Sequence, residues 1–130
     1  QIAEHGTPLV VGTVYVVPAG YHGHVERDRT LSLSVDPPVL HCRPALDVTM
    51  DSLARSIGQG VVAIVLSGAN EDGANGAMLL ARAGAMVFAQ DVAEARFPCM
   101  PAAALAREKR VNSASKSDLV ALVATLRAPE

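Results

Sequence analysis

The sequence predicts an α/β fold, with an open, doubly wound and mainly parallel sheet to which a β-hairpin is added. Two apolar runs, 61–66 and 85–89, lack the alternation of a half-exposed strand, so we expect both faces of each strand to be covered. A helical pattern separates them, which predicts a right-handed parallel βαβ unit. Earlier, two β-prone segments flank Asp28-Arg29, which is typical of a hairpin. Residues 1–130 are therefore interpreted as the later part of one incomplete domain.

The segments before the first helix are predicted to be strands. Residues 13–17 are β-branched or aromatic and are bounded by Gly12 and Pro18, which indicates a strand. Residues 24–27 and 30–35 form the arms of the hairpin, because the second arm alternates apolar and polar side chains.

The first helix is expected to begin near Pro44 and to end at Gly58 or Gly60. Five apolar residues share one of its faces: Leu46, Met50, Leu53, Ala54 and Ile57. Three polar residues are predicted to face away from the core: Asp51, Ser52 and Arg55.

Three further helices follow. The helix of the βαβ unit contains Ala77, Leu80 and Ala81 and stops at Gly84. Met100-Pro101 opens a short Ala-rich helix that runs to about Arg107. Ser115 or Ser117 caps a last helix, and its apolar face is formed by Leu119, Leu122, Val123 and Leu126.

Composition excludes several function classes. Half of the residues are hydrophobic, the net charge is −2 and no basic run occurs, so nucleic-acid binding is not expected. No apolar stretch reaches the length of a membrane span. Cys42 and Cys99 form neither a CxxC pair nor a zinc-spaced cluster, so we expect no metal, no cofactor and a cytoplasmic location. The chain does not begin with Met, which suggests an internal start within a longer protein.

The loop 67–76 is the more informative of two candidate site loops, the other being 91–100. Both follow predicted strands, and the carboxyl ends of parallel strands are where α/β proteins place their sites. Asp72 lies at a helix N-terminus, where an anion is stabilised. It is interpreted first as a cap of that helix and second as a carboxylate that could orient an imidazole. The glycines do not form GxGxxG, and two carboxylates would repel a phosphate.

No complete catalytic constellation is evident from spacing. His22 and His24 follow a predicted strand and are interpreted first as exposed loop residues. A self-contained triad of Ser67, His22 or His41, and Asp72 stays open as a minor alternative. The GxSxG motif of a nucleophile elbow is absent.

Several segments together resemble chemotaxis-type protein-glutamate methylesterases. TVYVVPAGYHGH at 13–24 is similar to that family's "APGG-x-H" segment, and HCRPALD at 41–47 is similar to "HRPS-x-D". IVLSGANEDGANG at 64–76 resembles the "TGMGxDGAxG" loop. Gln90-Asp91 matches "AQD", and FPCMP at 97–101 resembles the "GMP" segment. These segments follow the family's order and spacing over most of the chain.

The resemblance implies a serine hydrolase that demethylates glutamate esters on the cytoplasmic helices of chemoreceptors and, in some members, deamidates glutamine. Asp72 matches the triad aspartate, whereas the family's Ser and His lie in loops before Gln1. Ala69, Met100 and His22 would line the site, His22 without an assigned chemical step. The partners implied are methylated receptor helices and a receiver domain or upstream segment of the same protein.

Departures from the family pattern occur around the site. Ala69 and Asn70 replace a methionine and a glycine, and Cys99 replaces the glycine before Met100. We expect these changes to affect the choice of substrate and the reaction rate more than the fold. The alternative hypothesis is a non-catalytic domain that keeps the same fold as a receptor- or partner-binding surface.

Overall fold

The computed structural model describes residues 1–126 and confirms the α/β class, with a parallel sheet and an antiparallel hairpin sheet. The last four residues of the predicted domain 1–130 lie outside the described part. The elements in chain order are β1 (Thr7–Pro8), β2 (His22–Val25), β3 (Thr30–Ser34), α1 (Leu46–Ser56), β4 (Val62–Val65), α2 (Ala74–Arg82), β5 (Met86–Gln90), α3 (Cys99–Arg107), β6 (Asn112–Ala114) and α4 (Lys116–Thr125).

The parallel sheet has the order β4-β5-β6, with Val65 paired to Ala89 and Ala89 to Ser113. This confirms the parallel β4-α2-β5 unit, whereas the short strand β6 was not predicted. Val65, Leu80 and Val87 are fully buried in the main core between this sheet and the helices. Because β4 pairs with β5 alone within residues 1–126, it lies at an edge of the sheet.

The expectation that both faces of β4 are covered is wrong for one face. Ala63 and Val65 are buried, but Ile64 borders an apolar cleft of about 350 Å³ between β4 and α4. Leu119 of α4 is buried beside the cleft, whereas Val123 stays half exposed. Within residues 1–126, α4 therefore covers this face of β4 only in part.

The hairpin is confirmed, with His22 opposite Ser34 and Val25 opposite Leu31. Its turn is stabilised by Asp28, whose Oδ1 accepts hydrogen bonds from the Thr30 hydroxyl at 2.7 Å and the Thr30 N–H at 3.1 Å. These two bonds, the hydroxyl's first, hold the pKa of the exposed Asp28 carboxyl below its usual range. β1 adds a third, antiparallel strand beside β3.

The strand predicted at 13–17 does not form. Val16 makes only an isolated parallel bridge to Ile2, through hydrogen bonds with Gln1 and Ala3. A strand needs an extended partner along its length, and within residues 1–126 this segment is paired at Val16 alone. Val14 and Val16 consequently remain exposed, at 76% and 53%.

The first helix starts two residues after Pro44, so the prediction of Pro44 in its first turn is wrong. The prediction that Ser52 faces solvent is wrong as well, because α1 packs against β2 on that side. The buried Ser52 hydroxyl accepts from the Val25 N–H at 2.9 Å and donates to the Thr49 carbonyl at 2.7 Å. The other helices begin and end near their predicted residues, and Ser115, not Ser117, caps α4 by accepting from the Asp118 N–H.

Candidate functional site

Asp72 lies in the loop between β4 and α2 and is 5% exposed. Its Oδ2 accepts from the Leu46 N–H at 2.7 Å, and its Oδ1 accepts from the Asp47 N–H at 2.9 Å. These donors are the first two residues of α1. The interpretation of Asp72 as a cap of the helix that follows it is therefore wrong, because the carboxylate caps α1, a helix that ends earlier in the chain.

The start of α2 is capped from α1 in return. Gly73, the N-cap residue of α2, has a φ of +98° and offers no side chain. The Asp47 Oδ1 accepts from the N–H groups of Gly73, at 3.0 Å, and of Gly76, at 2.8 Å. Two aspartates thus satisfy donors that each helix start would otherwise leave unpaired.

His22 is fully buried in β2, so its interpretation as an exposed loop residue is wrong. Its Nδ1 accepts from the Ala45 N–H at 3.2 Å, so that nitrogen carries no proton. The Nε2 then donates to the Pro37 carbonyl at 3.0 Å, which fixes the tautomer. Ala45 is the N-cap residue of α1, and His22 and Asp72 therefore satisfy three consecutive N–H groups there.

Asn70 shapes the turn that leads into Asp72. Its Oδ1 accepts from the Asp72 N–H at 2.9 Å, and its Nδ2 donates to the Cys42 sulfur at 3.1 Å. Such local bonds from an asparagine side chain are typical of Asx turns. Ala69, beside it, is exposed.

Met100 packs against Gly68, so the two candidate loops are in contact. Gly68 accepts from the Met100 N–H at 3.1 Å and donates to the Phe97 carbonyl at 2.9 Å. The Ser67 hydroxyl accepts from the Phe97 N–H and donates to the Phe97 carbonyl. These bonds tie Ser67 to the second loop, and the structure gives no support to a self-contained triad built on it.

A cleft of about 470 Å³ opens beside Asp72. It is lined by Tyr15, Val16, Val17, Pro44, Ala45, Leu46, Thr49 and Asp72. Within residues 1–126 no serine or histidine lines this cleft. The structure thus brings Asp72 to the cleft and His22 to the same helix start, whereas Ala69 and Met100 belong to the neighbouring loop surface.

The described residues contain neither a metal-binding cluster nor a membrane-spanning helix. In the described part of the chain, His, Cys, Asp and Glu side chains do not come together in threes in a way that could hold a metal ion. Between Gln1 and Leu126 no helix combines the length and apolar character that a bilayer crossing requires.

Comparisons with known proteins agree on one family. A family profile described as CheB methylesterase matches residues 1–123. Over 92 residues the chain is 40% identical to protein-glutamate methylesterase/protein-glutamine glutaminase 1 of Rhodospirillum rubrum, covering 68% of this chain and 24% of that protein. It is 41% identical over 104 residues to the protein-glutamate methylesterase/protein-glutamine glutaminase of a Nocardioides species, covering 78% of this chain and 28% of that protein. The chain spans about a quarter of the length of these relatives.

A solved structure shows the same fold. The crystal structure of the Thermotoga maritima CheB methylesterase catalytic domain superposes with a TM-score of 0.85 at 24% identity. The match covers 97% of this chain and 69% of that one.

Proposed function

Because the chain belongs to the CheB methylesterase family, we propose that it forms the later part of a hydrolase domain that removes methyl groups from glutamate esters on chemoreceptors. The substrate class comes from the curated relatives, which are described as protein-glutamate methylesterases. The same proposal includes chemoreceptor helices as the binding partner, adaptation in chemotaxis as the process and the cytoplasm as the location.

The observation that carries the proposal is the buried Asp72 carboxylate at the edge of an open cleft. Each of its oxygens accepts one backbone N–H, and a carboxylate oxygen has lone pairs for a second donor. Asp72 can therefore accept from the Nδ1–H of a histidine that enters the cleft. The Asp72 carboxylate thus lies at the positive end of the α1 dipole.

The serine and the histidine of the triad are assigned to a part of the protein outside this chain. Two findings support this assignment. The cleft contains neither residue within the described part of the chain, and this chain covers only 69% of the Thermotoga catalytic domain. Exposed Val14 and Val16, beside the cleft, offer an apolar surface for that missing part.

The reaction would proceed by acyl transfer. The serine oxygen attacks the ester carbonyl carbon, the histidine takes the serine proton, and methanol leaves with that proton. Water then hydrolyses the acyl-enzyme and leaves a glutamate. Asp72 fixes the histidine tautomer and stabilises the imidazolium. Release of ammonia from glutamine follows the same steps, which fits the glutaminase in the relatives' description.

The test is methanol release from methylated receptor by the full-length protein and its Asp72→Asn variant. We expect kcat to fall about 1,000-fold or more, because the variant offers the wrong hydrogen-bond partner to the histidine. Glu71→Gln is the matched control, since it removes the same charge from the exposed neighbouring residue. Equal rates for wild type and Asp72→Asn would remove Asp72 from the mechanism. Receptor binding without methanol release from the wild type would favour the partner-binding alternative.

A further inference from the structure

We infer that Asp47 is a positioning residue that holds Asp72 in place for the histidine. Its effect on catalysis rests on the function proposed above, whereas its effect on the loop rests on the hydrogen bonds alone. Asp47 is the second residue of α1 and never reaches the cleft lining. It acts through the backbone of the loop that carries Asp72.

The two aspartates and the two helix starts form a closed arrangement. Asp72 accepts from the N–H groups of Leu46 and Asp47, and Asp47 accepts from those of Gly73 and Gly76. The N–H of Asp47 is therefore bonded to Asp72 while its side chain fixes the residue that follows Asp72. Displacing either helix start would move both carboxylates together.

The start of α2 depends on this outside acceptor. Gly73 has no side chain, and Gly73 and Gly76 are both buried. Without Asp47, two buried N–H groups would have no acceptor, and buried donors are rarely left unpaired. The loop would then shift to reach water, and Asp72, adjacent to Gly73, would shift with it.

The two carboxylates differ in how they use their oxygens, and this difference makes the inference testable. A single oxygen of Asp47, Oδ1, accepts both bonds. An amide oxygen in the same position can accept the same two bonds. Asp72 uses both oxygens, so an amide there would set its NH₂ against a backbone donor. Asparagine should therefore be tolerated at position 47 and not at position 72.

The kinetic test compares three variants of the full-length protein and measures methanol release. It is carried out at a temperature at which each variant remains folded. We expect Asp47→Ala to lower kcat about 100-fold with KM nearly unchanged, because misplacing a catalytic constellation affects the chemical step. Asp47→Asn should stay within about threefold of wild type, since it loses only the charge at the helix start. Asp51→Ala is the control, because the Asp51 carboxylate is half exposed and pairs with Arg55 on the same helix. An equal fall in kcat for Asp47→Ala and Asp47→Asn would overturn the inference. A rise in KM with kcat unchanged would overturn it as well.

The structural test is independent of activity. In Asp47→Ala, hydrogen exchange should become faster at the backbone N–H groups of positions 46 and 47. This is expected although the Asp72 carboxylate that accepts from them is still present. Asp47→Asn should retain the wild-type protection. Unchanged protection of Leu46 in Asp47→Ala would overturn the coupling even if the esterase is active. Lost protection in a protein that releases no methanol would confirm the coupling and reject the proposed function alone.

Discussion

Replacing Gly76 by alanine tests the close contact between α1 and α2 that supports the two aspartates. A Cβ at this position would lie 2.5 Å from the Met50 Cβ and 3.2 Å from the Asp47 Cα. Carbon atoms in contact are normally about 3.5–4.0 Å apart. The first of these is a stem atom of a buried residue, so no side-chain rotation can relieve the overlap. The two helices would have to separate by about 1 Å.

That displacement has a calculable effect. It would stretch the hydrogen bond from the Gly76 N–H to Asp47, now 2.8 Å, beyond the range of a hydrogen bond. Overpacking costs about 1–3 kcal/mol, and loss of a bond to a charged acceptor costs about 1.5–3 kcal/mol. Alanine recovers about 1 kcal/mol of helix propensity. We therefore expect Gly76→Ala to lose about 1.5–5 kcal/mol of stability in this region.

Native-state hydrogen exchange of the full-length protein is the suitable assay, because it measures the opening of individual helices separately from global unfolding. The free energy of opening should fall for amides of α1 and α2. Asn75→Ala is the matched control: it makes a similar gain in helix propensity at an exposed neighbouring position. If Gly76→Ala opened no more readily than Asn75→Ala, the reasoning about the close contact would be refuted.

Three further predictions concern single interactions. Thr30→Val should raise the pKa of Asp28 towards its usual value; the carboxylate supports the turn at neutral pH, and this support is lost as the pH falls through the lowered pKa. An unchanged NMR titration would contradict this. Ser115→Ala should cost about 1 kcal/mol and loosen the first turn of α4, whereas Ser115→Asp should retain the cap. His22→Leu should cost about 1–3 kcal/mol, because the buried Ala45 N–H loses its acceptor; wild-type stability would show that the bond contributes little.

The hairpin, the βαβ unit and the approximate boundaries of the last three helices could be predicted because their signals are local. The run 61–66 and the turn at Asp28 each specify a structure through neighbouring residues. The segment 13–17 carries an equally clear strand pattern, yet it forms only a bridge at Val16. Strand propensity describes fitness for a sheet, and the pairing partner is not encoded in the same segment.

The site shows the same limit. Spacing identified Asp72 as an anion at a helix start but selected the wrong helix, because the donors belong to residues 46 and 47. His22 and Ser52 were expected to be exposed because a polar side chain in a local pattern usually faces water. Both are buried where the hairpin meets α1. Asp47 ends the segment that is similar to "HRPS-x-D", but no role was predicted for it, although an acidic residue in the first turn of a helix is a general signal of capping.

The position of β4 at the sheet edge affects how the chain would behave when purified. One side of this strand presents backbone groups with no partner within residues 1–126, next to the apolar cleft bordered by Ile64 and Val123. Such an edge can recruit a strand from another molecule. Produced by itself, the chain 1–130 should form concentration-dependent oligomers, or it should bind detergents and the dyes that detect exposed apolar surface. A polypeptide that extends the sheet beyond β4 should abolish both behaviours.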